Sequence, residues 1–218
     1  MTVSSASDLL SALQRDFLRA FAARPSGFYL TGGAVLVGWV LKHRRTDDLD
    51  LFTTDDGPMA EADRLARAVA ADLAADIEAS RTSPDFRRYR IRRGGEGIMV
   101  DFIRERVPQL HPKIVRDGIT MDPVEEIVAN KICALLGRAE VRDVVDLHAL
   151  ENAGFPVERF LADAQRKDAG VTPAAMAWVL SELSIPDDPP GESDAAALRA
   201  YAADLEARMR RLAVPSHA

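Results

Sequence analysis

FYLTGGAVLVGWVLKHRRTDDLDLF, residues 28–52, is the stretch on which the reading of this chain turns. Phe28-Tyr29-Leu30 is a short apolar run of strand type, and Gly32-Gly33 marks a turn where backbone passes close to something else. Ala34 to Leu41 is apolar on nearly all sides and reads as a buried helix. A polar link, Lys42 to Thr46, leads to a second strand, Asp47 to Phe52. Strand side chains alternate between faces, so Asp48 and Asp50 share one face while Leu49 and Leu51 point into the core. Two adjacent carboxylates repel each other unless a cation sits between them, and a divalent metal with a preference for hard oxygen ligands supplies that cation. Backbone N–H groups where a glycine turn opens a helix can hold a phosphate. Together they suggest a phosphate-plus-metal site and nucleotidyl transfer from a nucleoside triphosphate (NTP). Each half also occurs alone, as a surface turn or a solvated acidic strand edge; the order and spacing favour the site.

Outward from this stretch, the N-terminal side holds an amphipathic helix, Asp8 to Ala22, with Ser7 as its expected N-cap. On the C-terminal side, Met59 to Ala79 reads as an Ala-rich packing helix. Ser80 to Arg106 is locally basic. Phe86 to Arg92 alternates as a strand, with Arg88, Arg90 and Arg92 on one face and Tyr89 and Ile91 on the other. Gly94-Gly95-Glu96-Gly97 is a hairpin turn. Ile98 to Ile103 then reads as a central strand, and the Asp101 inside it must be paired, hydrogen-bonded or metal-bound. The arginine face suits phosphate contacts with a nucleic acid, or else the solvated outside of an edge hairpin.

Val107 to Met121 reads as a connector, and only helices are expected after it. Asp122-Pro123-Val124-Glu125 is a helix start with cap, proline and acid in the favoured order. That helix carries Lys131 in an apolar segment and is expected to end at Gly137. The next begins near Glu140 and places Asp143 and Asp146 on one face. Helices over Pro156–Lys167, Thr172–Leu183 and Asp194–Leu212 follow, with Trp178, Leu180 and Leu183 as core. The fold class is α+β: a domain over residues 1–115 with a small mixed sheet and flanking helices, then a helical domain over 116–218.

At 218 residues, 47% hydrophobic, the chain has material for a sizeable core. Its net charge of -6 excludes a molecule that binds nucleic acid over its whole surface. Cys133 is the only cysteine, so no internal disulfide forms. The first seven residues do not resemble a signal peptide, and no apolar run reaches the ~18 residues of a spanning helix. The expectation is a cytoplasmic protein that does not enter a membrane.

Gly32-Gly33-Ala34-Val35-Leu36 followed by His43-Arg44-Arg45-Thr46-Asp47-Asp48-Leu49-Asp50 resembles the first motif of the AbiEii/AbiGii toxin family of nucleotidyltransferases, in the polymerase-β-like superfamily, which includes the MenT-like toxins. Ala129-Asn130-Lys131-Ile132 and Arg142-Asp143-x-x-Asp146-Leu147 resemble its later motifs. The likeness runs from about Phe28 to Leu150. It departs at Ala34, where many members carry a hydroxyl residue; phosphate binding then rests more on backbone amides, with Thr31 as a hydroxyl donor. The resemblance implies a polymerase-β-like first domain and Mg²⁺ on Asp48 and Asp50. It makes Asp101 the third carboxylate, as second metal ligand or general base. It puts the NTP against Gly32, Gly33, Thr31, Arg44 and Thr46, gives Lys131 a contact to the triphosphate, and has Asp146 complete the active site. It further implies a toxin with a cognate antitoxin that modifies the 3′ end of tRNA and so blocks translation; Arg88, Arg90 and Arg92 are the candidate nucleic-acid contacts by their charge pattern alone.

Three other readings compete. The acceptor is a protein or small molecule; the chain is a non-catalytic nucleotide-binding module; or Asp48-Leu49-Asp50-Leu51-Phe52-Thr53 is the Asp-x-Asp-x-Thr of a haloacid-dehalogenase-type phosphatase. The last needs an apolar strand leading into the first Asp, where this chain has Arg44-Arg45-Thr46-Asp47.

Overall fold

The computed structural model describes residues 9–191 and 194–214. The chain divides into two compact units: Met1–Arg106 with His111–Pro123, and Val107–Leu110 with Val124–Ala218. Among the described residues there are seven strands and eight α-helices.

The first unit is built on one mixed sheet in the order β3 (Asp76–Ser83), β4 (Phe86–Arg93), β5 (Glu96–Arg104), β2 (Asp48–Thr53), β1 (Tyr29–Thr31), β7 (Ile119–Met121), β6 (Ile114–Arg116). Its helix α1 (Ala12–Ala22) is closed by a capping box between Ser11 and Gln14. The expected cap at Ser7 lies outside the described residues. Strand β1 (Tyr29–Thr31) enters a single helical turn, α2 (Gly32–Val35), which continues as a π-helical turn over Leu36–Val40. Such widened turns are rare and gather at functional sites. Strand β2 (Asp48–Thr53) returns antiparallel to β1 and pairs in parallel with β5 (Glu96–Arg104). Leu49, Leu51, Val100 and Phe102 are fully buried between these strands and the helices, and Phe28 and Tyr89 meet the Phe102 ring edge-on.

Three expectations are corrected here. The Ala-rich helix is α3 (Asp56–Asp72), shorter than Met59 to Ala79, because Ala74 takes a left-handed backbone (φ 49°) and the chain turns into β3 (Asp76–Ser83). Strand β3 pairs with β4 (Phe86–Arg93) as the exposed edge of the sheet, so it shows no apolar alternation. The connector holds a hairpin, β6 (Ile114–Arg116) and β7 (Ile119–Met121), around Asp117-Gly118, both at positive φ. Because β7 pairs with β1, the first unit runs on to Pro123.

The second unit contains α4 (Val124–Arg138), α5 (Val141–Asn152), α6 (Val157–Lys167), α7 (Pro173–Glu182) and α8 (Ala195–Ala213). Helix α4 passes through Gly137 and stops where Ala139 turns left-handed (φ 50°), two residues later than expected. Thr172 caps α7 by accepting from Ala175 N (3.1 Å). The short segment 107–110 is tied to this unit by polar groups. The buried Lys167 ammonium binds the Glu126 carboxylate and donates to Pro108 O (2.8 Å), and Glu126 accepts from Leu110 N (3.1 Å). Trp178, expected in the core, is 66% exposed. None of the described helices is long and apolar enough to cross a membrane.

Candidate active site

Register places the candidate residues of the first unit in rows across the sheet. Thr31 on β1 pairs with Asp50 on β2, Asp50 with Asp101 on β5, and Asp101 with Arg88 on β4. Paired positions project from the same face. One row therefore reads Thr31, Asp50, Asp101, Arg88. The next contains Asp48, Met99, Arg90 and Glu78, so the arginine face of β4 continues the acidic face of β2. Asp48 and Asp50 are half-buried, while the intervening Leu49 and Leu51 are fully buried.

The two glycines make room for this row. Gly32 has φ +69°, a conformation L side chains rarely adopt, and a methyl group on it would lie 2.7 Å from Oδ2 of Asp50. A methyl group on Gly33 would lie 2.7 Å from Nη2 of Arg44 and 3.5 Å from Oγ1 of Thr46. Asp50 thus meets one glycine, and Arg44 with Thr46 meets the other. The link that carries them is held from outside, since Gln14 Nε2 on α1 donates to Thr46 O (2.7 Å). No local pattern in the sequence announces that role for Gln14. The Thr31 hydroxyl, expected to serve a phosphate, donates instead to the buried Asp122 (2.6 Å), whose other oxygen lies 3.1 Å from Lys113 Nζ.

Asp101 is met by a guanidinium. It is 3% exposed, and both of its oxygens accept from Arg88: Nε to Oδ1 at 2.8 Å and Nη2 to Oδ2 at 2.6 Å. The alternative of a hydrogen-bonded ion pair is therefore the one observed. Expected as a metal ligand beside Asp48 and Asp50, Asp101 has its charge met by a guanidinium. Among the described residues no group of three His, Cys, Asp or Glu side chains is gathered to hold a metal ion. Asp48 and Asp50 do fit Mg²⁺, which binds through one or two carboxylates and keeps its other positions for water and substrate phosphate. The fork with Asp101 raises the pKa of Arg88 beyond that of an ordinary guanidinium. Burial works against the rise, and the charges of Asp101, Asp48 and Asp50 add to it.

In the second unit, Lys131 is 6% exposed. Its ammonium lies 3.0 Å from Asp143 Oδ1 and 2.7 Å from Asp146 Oδ2, both carboxylates fully buried. Arg138, which sequence reasoning passed over, forks onto Asp143 at 2.8 Å through both Nε and Nη2. Burial pushes the Asp143 carboxyl up, but Arg138 and Lys131 outweigh it and hold the group below the usual carboxylate range. Arg142 pairs with Glu140.

The model of the family described as "Nucleotidyl transferase AbiEii toxin, Type IV TA system" matches residues 16–215. The chain belongs to that family. AbiEii-family membership makes it a nucleotidyltransferase toxin by kinship, with an antitoxin partner and an NTP substrate implied. Solved structures share the fold. JHP933 from Helicobacter pylori is 19% identical, with 91% of each chain covered and a TM-score of 0.60. A putative nucleotidyltransferase from H. pylori is also 19% identical, with 93% of this chain and 96% of that one covered and a TM-score of 0.57. MenT4, a nucleotidyltransferase toxin from Mycobacterium tuberculosis H37Rv, is 18% identical, covers 94% of this chain and 83% of its own, and has a TM-score of 0.62. No curated protein sequence matches the chain. The phosphatase reading loses its ground, because β2 begins at Asp48 and so no strand leads into the acidic pair.

Proposed function

We propose that this AbiEii-family protein transfers a nucleoside monophosphate from an NTP to the 3′ end of tRNA and thereby blocks translation, in a cytoplasmic toxin–antitoxin pair. The observation that carries the reading is the contact of the Asp50 carboxylate with Gly32, beside Arg44 and Thr46 at Gly33. It brings a candidate metal ligand, a phosphate-binding cation and a hydroxyl to the same glycine turn. Arg44 suits a phosphate because its fork matches phosphate oxygens in pairs. Asp48 and Asp50 would hold Mg²⁺, which when bound neutralises phosphate charge and polarises the bond to be broken. The acceptor hydroxyl, its proton passing to Asp101 or to water, attacks the α-phosphorus, the α–β bridging bond breaks, and pyrophosphate leaves. Gly32, Gly33, Thr31, Arg44 and Thr46 surround the triphosphate in this proposal, Lys131 and Asp146 remain among the residues that transfer requires, and Arg90 and Arg92 offer exposed cations to the acceptor's phosphodiesters.

The test is to incubate the protein with Mg²⁺, each of four α-labelled NTPs and total tRNA. Label on the tRNA 3′ end, lost with Asp48→Asn, is the expected result. Label on the protein or a small molecule would replace the acceptor, and no label on any species would leave a nucleotide-binding module.

A further inference from the structure

The face proposed to bind a cation already holds one of the chain's own. We propose that Arg88 is a tethered counter-cation that keeps Asp101 out of metal coordination, so that the acidic row takes a divalent ion through Asp48 and Asp50 until the guanidinium leaves. The inference rests on the transferase reading and adds a device to it.

Four observations carry it. Both oxygens of Asp101 are engaged by a fork of matched geometry. Asp101 is almost wholly buried, so its charge must be met whether or not a metal is present. Arg88, in contrast, keeps 40% of its side chain exposed, so its guanidinium has a solvated place to go. And the charges of Asp48 and Asp50 act on Arg88 as well as that of Asp101. Without Arg88 the same face carries one positive charge fewer and draws a cation harder. The fork that grips a carboxylate grips a phosphate equally well, so an arriving phosphate is the group suited to drawing Arg88 away.

The experiment is Mn²⁺ titration by calorimetry, without nucleotide, on the full chain and on four variants: Asp48→Asn, Arg88→Gln, Arg88→Lys and the double Arg88→Gln/Asp101→Asn. Arg88→Gln should tighten Mn²⁺ binding on the order of tenfold, as expected for one charge removed a few ångströms away in a partly screened site. The double variant swaps one neutral pair for another and should return within about threefold of the parent, while Asp48→Asn weakens binding by at least about tenfold. Arg88→Lys, which keeps the charge without the fork, should fall between the parent and Arg88→Gln, and carries the test if the glutamine variant does not fold. Mn²⁺ should also raise the melting temperature of Arg88→Gln more than that of the parent. The proposal is overturned if Arg88→Gln binds no tighter, or if the double variant binds as weakly as Asp48→Asn, which would make Asp101 a ligand with Arg88 in place. Failure of Mn²⁺ to bind the parent, with Asp48→Asn no different, would remove the transferase reading too.

Discussion

Two buried carboxylate clusters, one in each unit, solve the same electrostatic problem in different ways. Asp101 has one cation, Arg88, which reaches it from a partly exposed position beside two half-buried acids. Asp143 and Asp146 are fully buried with a nearly buried Lys131, and Asp143 has the Arg138 fork as well. A buried charge without a partner costs several kcal/mol, so both clusters must stay neutralised. The first is neutralised by a group with access to water. The second is closed over its partners within its own unit. The contrast teaches that the buried acid of the first unit is neutralised from the solvent side, and the acids of the second from within their own unit.

The sharpest way to break that contrast is Asp50→Asn. If the first unit's acids serve chemistry, transfer to the labelled acceptor should fall on the order of 10³-fold, as for loss of a major transition-state charge contact, while the melting temperature moves by only a few degrees. A variant that melts far lower and loses activity only in proportion would show that the two clusters do not differ.

Lys131→Met tests the other side. It leaves the Asp143 and Asp146 carboxylates buried with one partner fewer, and the expected loss is about 3–5 kcal/mol of unfolding free energy. Urea unfolding followed by circular dichroism measures it. A loss below about 1 kcal/mol would mean the ammonium is not a structural partner.

A smaller effect separates the two glycines. Gly32→Ala puts a side chain at φ +69° and drives it against Asp50, for about 1–2 kcal/mol of backbone cost and a displaced carboxylate. Gly33→Ala meets the far end of Arg44, which can move, so stability should hardly change. Melting curves with labelled transfer decide it: the Gly32 variant should lose more activity than stability, and equal behaviour of the two would discount the contact with Asp50.

The features that announced themselves in the sequence are those written in short-range patterns. The glycine doublet and Asp48-x-Asp50 could be read because turn chemistry and strand alternation are local. The β4–β5 hairpin was legible for the same reason, and so was the oddity of Asp101 inside an apolar strand. Strand β3 was not legible, because an exposed edge strand has no apolar face, and the helix before it ends on a left-handed Ala74 with no glycine to mark the stop. The β6–β7 hairpin did carry a signal in Asp117-Gly118, but three-residue strands gave too little alternation around it. The partner of Asp101 depends on register between β4 and β5, a long-range property that alternation leaves open between several arginines. Trp178 shows the converse limit: an aromatic at helical spacing says nothing about which side of α7 is covered.

The smallest expected effect is the pH response of Asp143, and it sharpens the picture of a closed cluster. Its carboxyl is held below the ordinary carboxylate range by Arg138 and Lys131 against the opposing pull of burial. A group whose folded pKa lies below its unfolded pKa stabilises the fold fully above the unfolded value, and that contribution disappears as pH falls through the folded value. Stability of the parent should therefore decline below about pH 4, by at most ~1.4 kcal/mol per pH unit from this one group. Asp143→Asn keeps the shape but removes the titration, so its unfolding free energy should be lower at neutral pH and depend less on pH between about 5 and 2.5. The comparison is made by urea unfolding at a series of pH values, with the difference between parent and variant plotted against pH. A difference that narrows on acidification is what a charge locked to two cations requires. A constant difference would mean that Asp143 contributes shape alone, and the second cluster would then be no more electrostatic than the apolar core around it.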